Sequence, residues 1–320
     1  MKFRPRKAVT LGLASSVVVA IAGGIVDSAS LSLIRAERLR RHVEEISGLR
    51  HGIENPEELE KRGEYIEGYL RSCGHTVRSQ QIEFKGRVYR NIVATVEGSR
   101  PDLPALLVGA HYDGYWKTPG ADDNASGVAV LCETARKLQG AKPVRRVELV
   151  AFTLEEPQTF THIIRRGSRH FAREARKRGT AYEGAVILEC VGYTSPTQRG
   201  TGISRLFGMG MPESGDFLAV VANRPSEPFM KSFLAAASRS VPSLPTVGYA
   251  APAQGYLLPQ LRFSDHSSFW EQDYPAIMLN DTVMFRNPNY HEPSDTPETL
   301  DYRFMEKVAT AVVSFVTTYP

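Results

Sequence analysis

The chain has 320 residues, 42% hydrophobic and 23% charged, an ordinary globular composition long enough for one large α/β domain. Lys and Arg exceed Asp and Glu by only 39 to 35, and they are scattered with no aromatic-interleaved basic stripe, which argues against a nucleic-acid partner. Cys73, Cys132 and Cys190 are too few and too widely spaced for a disulfide framework or a thiolate zinc site, so they read as buried free thiols.

At the N-terminus, Lys2, Arg4, Arg6 and Lys7 precede an uncharged run from Ala8 to Val26. Its 19 residues exceed the usual core of a cleaved signal and approach the roughly 20 that span a bilayer. Residues 1–30 therefore read as a signal anchor, with Asp27-Ser28-Ala29-Ser30 offering a cleavage site as the alternative. The remainder, residues 31–320, is expected to form one exported domain, held outside the membrane or released into the periplasm or medium.

Helical spacing follows over Leu31 to Leu49 and again over Asn55 to Leu70, where Asn55-Pro56 is a start signal. Strands are expected at Tyr89 to Val96, Ala105 to Ala110, Val147 to Thr153, Ala185 to Val191 and Ala276 to Leu279. Between and after them, Asn124 to Leu138, Ser168 to Arg178, Glu227 to Ser238 and Tyr302 to Thr318 read as helices, and Thr194 to Gly215 as a long loop. This alternation predicts an α/β three-layer sandwich, a mixed and largely parallel sheet with helices on both faces.

The polar residues at the strand ends carry the chemistry. His111 and Asp113 close one apolar strand on the same side, either as a metal ligand and its orienting carboxylate or as a core histidine. Nearby, Gly120-Ala121-Asp122-Asp123-Asn124-Ala125-Ser126-Gly127 opens a helix, where acids serve as caps or as ligands. Glu155-Glu156 ends another apolar strand, where adjacent carboxylates repel unless a cation or proton intervenes. A metal would divide their duties, Glu156 as ligand and Glu155 as general base. Glu189 in an apolar strand needs a partner, and Tyr290-His291 lies in a polar segment near the C-terminus. Two imidazoles with carboxylates suit Zn²⁺. His42, His51, His75, His162 and His170 read as surface or packing residues.

In order and spacing, His111-Tyr-Asp113, Gly120 to Gly127, Phe152 to Glu156 and Tyr290-His291 resemble metallopeptidase family 28 over roughly residues 34–318. The resemblance implies the zinc exopeptidase fold, peptide substrates and an aminopeptidase activity. It also implies two zinc ions bridged by Asp122, one completed by Glu156 and His291, the other by His111 and Glu189. The commonest pattern has Asp where this chain has Glu189, which makes the second ion the one most dependent on this chain's own geometry. Glu155 matches the general base, Asp113 the residue that orients His111, and Tyr290 a donor to the oxyanion. Ser264-Asp265-His266 matches a supporting segment. A glutaminyl cyclase-like transferase and a non-catalytic binding ectodomain are the alternatives on the same scaffold.

Overall fold

The computed structural model describes residues 34–159, 165–198 and 210–320. The expected leader at residues 1–30, His162 and the middle of the loop from Thr194 to Gly215 lie outside the described residues. Among the described residues no helix is long and apolar enough to cross a membrane.

Eight strands form one sheet: β1 (Thr76–Phe84), β2 (Arg87–Val96), β3 (Ala105–His111), β4 (Val147–Phe152), β5 (Tyr182–Leu188), β6 (Leu218–Asn223), β7 (Thr246–Ala251) and β8 (Ala276–Asn280). Their order is β1-β2-β4-β3-β5-β8-β6-β7. The central neighbours β4, β3, β5 and β8 run parallel, while β1, β2 and the β6–β7 pair join through antiparallel contacts. The parallel strands are continuous apolar runs because both their faces are covered. Their carboxyl ends share one edge of the sheet, where an open α/β sheet binds ligands.

Helices cover both faces. On one lie α1 (Ala36–Ile46), α2 (Pro56–Ser72), α3 (Gly127–Lys137), α5 (Glu227–Ser240) and α7 (Tyr302–Thr318); on the other lie α4 (Arg166–Lys177) and the short α6 (His266–Trp270). Helix α1 buries Leu39, Val43 and Ile46 at helical spacing, and α7 starts where the Asp301 carboxylate accepts from the amides of Arg303 and Phe304. Alternate residues of β3 feed separate cores. Leu106, Val108 and Ala110 pack under α1, α3 and α7, whereas Ala105 and Leu107 join Phe152, Phe171 and Phe269 on the other side. Gly109 leaves room for that aromatic cluster, since a Cβ there would lie 2.5 Å from the Phe152 ring.

Three strands escape the sequence reading. β1 and β7 are edge strands, β1 mostly exposed and β7 mostly half-buried, and neither carries a run of large aliphatic residues. Leu218–Asn223 is apolar but short and alanine-containing, a pattern that does not separate helix from buried strand. The helix expected from Asn124 begins at Gly127, because the preceding residues form an irregular turn with non-helical angles at Asp123 and Asn124. Strand β5 ends at Leu188, which places Glu189 and Cys190 just beyond the sheet rather than within it. All three cysteines are buried and unpaired by disulfides.

Candidate metal centre

Four of the functional side chains emerge where apolar strands stop. His111 is the last residue of β3, Glu155 and Glu156 follow β4 by three and four residues, and Glu189 is the first residue past β5. The turn after β4 is tied to the end of β3 by Asp113, whose Oδ1 accepts from Glu155 N–H at 2.9 Å and whose Oδ2 accepts from Glu156 N–H and Gln158 Nε2 at 3.1 Å each. His111 Nδ1 meets the Asp113 carbonyl oxygen at 3.2 Å, with the Asp113 carboxylate at 3.6 Å, so Asp113 stands where a residue that orients the imidazole would.

The turn between β3 and α3 carries the central carboxylate, and it belongs to Asp123. Its Oδ1 lies 3.3 Å from His111 Nε2 and its Oδ2 lies 3.1 Å from His291 Nε2. Asp122 does not take this place. Its Oδ1 accepts from Gly192 N–H at 2.9 Å and its Oδ2 from Asn287 Nδ2 at 2.7 Å, beside the buried Asp281. The two neighbours diverge because the turn is pinned along its backbone. Asp295 accepts from the amides of both Asp122 and Asp123, at 2.9 and 3.1 Å. From the other side the fully buried Arg50 donates to the carbonyls of Gly48, Tyr112, Pro119, Gly120 and Asp123. Gly120 sits at φ 61°, where a Cβ would be 2.3 Å from the Asp123 carbonyl oxygen, so only glycine closes this turn.

Two sets of donors share Asp123. In one, His111 and Glu189 Oε1 are 3.3 Å apart; in the other, His291 and Glu156 Oε1 are 3.5 Å apart. Ser264 Oγ donates to Glu189 Oε2 at 2.6 Å and holds that longer acid in place. Tyr115 and Tyr290 stack on His291, with ring centroids at 3.7 and 3.9 Å, so the imidazole is sandwiched between two aromatic faces. Arg50, Tyr115, Asp123 and Asp295 are the residues that sequence reasoning passed over. Only the doubled aspartate offered a signal, and it did not say which of the pair turns inward.

The fit to a cation is testable on the donors themselves. Two ligands each about 2.1 Å from one tetrahedral ion lie about 3.4 Å apart, and the facing nitrogens and oxygens here are 3.1 to 3.5 Å apart. Asp123 Oδ1, Glu156 Oε1 and His291 Nε2 are buried yet make no hydrogen bond, which leaves a ligand atom unused in each of the two sets. The electrostatics agree. Burial and the Asp123 carboxylate push Glu156 up to about 7, and burial with the Glu156, Asp265 and Glu189 charges pushes Glu155 well up despite His111. Burial would lower His291, but the Glu156 and Asp123 carboxylates hold it up at about 11. Four buried carboxylates thus surround two imidazoles, an excess of negative charge that a divalent cation relieves.

Two cavities meet at this centre, divided by Phe263 and Tyr290, which line both. The smaller, about 90 Å³, has Glu189 beside an apolar wall that includes Val221, Val247 and Met278. The larger, about 570 Å³, has Glu155, Glu156 and His291 along its floor.

A model for Peptidase family M28 matches residues 91–316 of the chain. A protein described as uncharacterized protein YfbL of Escherichia coli K12 is 33% identical over 296 residues, 88% of this chain and 87% of that protein. A probable leucine aminopeptidase 1 of Trichophyton verrucosum is 23% identical over 312 residues, 91% of this chain and 75% of that protein. Among solved structures, LapA of Legionella pneumophila superposes with a TM-score of 0.70 at 18% identity, covering 95% of this chain and 78% of its own. A glutaminyl cyclase of Porphyromonas gingivalis gives a TM-score of 0.66 at 18% identity, covering 90% and 97%.

Proposed function

This chain belongs to peptidase family M28, and on that premise we propose that it is a two-zinc aminopeptidase that removes residues with apolar side chains from peptide N-termini. The observation that carries the proposal is the junction at Asp123, where one carboxylate faces two imidazoles and two cavities of unequal size meet. His111, Asp123 and Glu189 would hold one ion and Asp123, Glu156 and His291 the other. When bound, the zinc ions polarise the scissile carbonyl and make the attacking water more acidic.

The chain's own residues supply the remaining steps. Glu155 takes a proton from the attacking water and returns it to the leaving amine, a role that suits a carboxylate whose pKa is raised by burial and neighbouring acids. Tyr290, at the boundary of the two cavities, donates to the oxyanion. The smaller pocket has room for one side chain, and its acid, Glu189, attracts a free α-ammonium group. Among its described lining residues there is no Arg, Lys or His to receive a C-terminal carboxylate, which favours cleavage from the N-terminus over carboxypeptidase action. The basic and apolar segment at residues 2–26 exports the enzyme, and as an uncleaved anchor it would keep the catalytic domain outside the membrane.

The test is hydrolysis of leucyl-p-nitroanilide by zinc-loaded protein, with metal content measured in parallel. Glu155→Ala is expected to keep its zinc and lose hydrolysis, whereas Glu156→Ala and His291→Ala lose both. Full activity in Glu155→Ala would remove the mechanism. An N-terminal glutaminyl peptide run alongside decides between hydrolysis and cyclisation, the reading that the shared glutaminyl cyclase fold keeps open. Protein that neither retains zinc nor takes it up would instead be a binding ectodomain.

A further inference from the structure

The larger cavity is separate from the pocket assigned above to the N-terminal residue of the substrate. Glu155 lines it and does not line the smaller pocket, while Glu189 does the reverse. If Glu155 hands its proton to the leaving amine, the leaving peptide lies on the Glu155 side, in the 570 Å³ groove. The walls of that groove are built. Tyr115, stacked on His291, is followed by Trp116, whose indole is 46% exposed although one of the largest apolar side chains in the protein. The Lys117 ammonium sits 4.3 Å over the indole ring. His51 is buried in the wall, its Nδ1 accepting from Glu54 N–H at 3.2 Å, and Pro157 continues the wall directly from the catalytic acids. Phe263, 51% exposed, forms the rim shared with the smaller pocket.

Resting on the aminopeptidase reading above, we infer that Trp116 and its neighbours form a binding site for the residue that follows the scissile bond, selecting peptides with an apolar or aromatic side chain there. Exposed apolar surface of this kind beside a reactive centre is stabilised by being covered during binding. An aromatic side chain laid on the indole is worth about tenfold in specificity, the low end for one well-placed apolar group.

The experiment measures kcat/KM of the zinc-loaded full chain on leucinamide, Leu-Gly-Gly and Leu-Phe-Gly, for the natural protein, Trp116→Ala and Trp116→Phe. The natural protein is expected to prefer Leu-Phe-Gly over Leu-Gly-Gly about tenfold. Trp116→Ala reduces that preference to below about twofold, mainly through KM, and Trp116→Phe restores most of it. Equal cleavage of the two tripeptides by the natural protein, or a preference that survives in Trp116→Ala, overturns the proposal while leucinamide hydrolysis leaves the aminopeptidase reading standing. No hydrolysis of any of the three overturns that reading and the groove with it.

Discussion

Replacing Arg50 by Met tests whether the metal centre is held from behind by its backbone. The guanidinium is fully buried and donates to five carbonyl oxygens, of Gly48, Tyr112, Pro119, Gly120 and Asp123, the four other than Pro119 at 2.7 to 3.3 Å. Two of those acceptors are cushioned, because Pro119 O also accepts from Gly48 N–H and Gly120 O from Ala125 N–H. The other three lose an ionic donor, at about 1–3 kcal/mol for each buried group left without one. Part of this is returned because the desolvated charge is gone, leaving a net loss of about 3–5 kcal/mol. For a domain of this size that is a fall of roughly 10 °C in Tm. Because Asp123 is one of the five acceptors, its carboxylate loses its setting and zinc affinity should drop by at least about tenfold. Arg50→Lys, which keeps the charge but has only three donors, should fall between. The measurements are thermal unfolding in chelator, for the scaffold alone, and zinc titration against a competing dye, for the site. A Met variant that melts within about 2 °C of the natural protein and binds zinc equally well would refute the reasoning.

The correction at the doubled aspartate gives a second prediction: Asp123→Asn should abolish zinc retention and activity, whereas Asp122→Asn, whose oxygens face Gly192 and Asn287, should cost about tenfold and keep metal. Metal content per chain separates the two. Burial alone would raise Glu133, but His42, Arg136 and Arg38 hold its carboxyl down at about 2, below its ordinary 4.5. Its stabilising share, about 3 kcal/mol, is therefore complete above pH 4.5 and is lost as pH falls toward 2. In Glu133→Gln, denaturant unfolding followed between those pH values should lack that part of the slope. Gly109→Val should destabilise by at least about 1–3 kcal/mol, since its Cβ would meet the Phe152 ring at 2.5 Å and the Ile187 side chain at 3.0 Å. A normal Tm in that variant would mean the aromatic cluster yields more easily than its packing implies.

What was legible in the sequence was set by how abruptly apolar runs end. His111 and the Glu155-Glu156 pair stand out because β3 and β4 are buried over their whole length and the next polar residues have nowhere to go but the sheet edge. Glu189 was visible for the same reason, although the strand stops one residue before it. The choice between Asp122 and Asp123 was not legible, because it depends on the left-handed Gly120, on Asp295 and on Arg50, all fixed by tertiary contacts. Arg50 looks like any basic residue after an amphipathic helix, and nothing local tells that it is buried. Strands β1 and β7 stayed hidden because they lie at the sheet edges with few buried side chains, so they lack the continuous apolar run of a strand covered on both faces.

The Asp295 carboxylate that grips the amides of Asp122 and Asp123 has a consequence for how the protein is made. The turn it secures lies close to His111 in sequence, yet the clasp is 173 residues beyond Asp122 and the second imidazole, His291, is its near neighbour. A nascent chain therefore has three sheet ends with acids on them long before it has a finished cage. Closure of that cage must wait until the segment around residue 295 has docked, so the side chains around Asp123 take up their final places only after contacts between distant parts of the chain have formed.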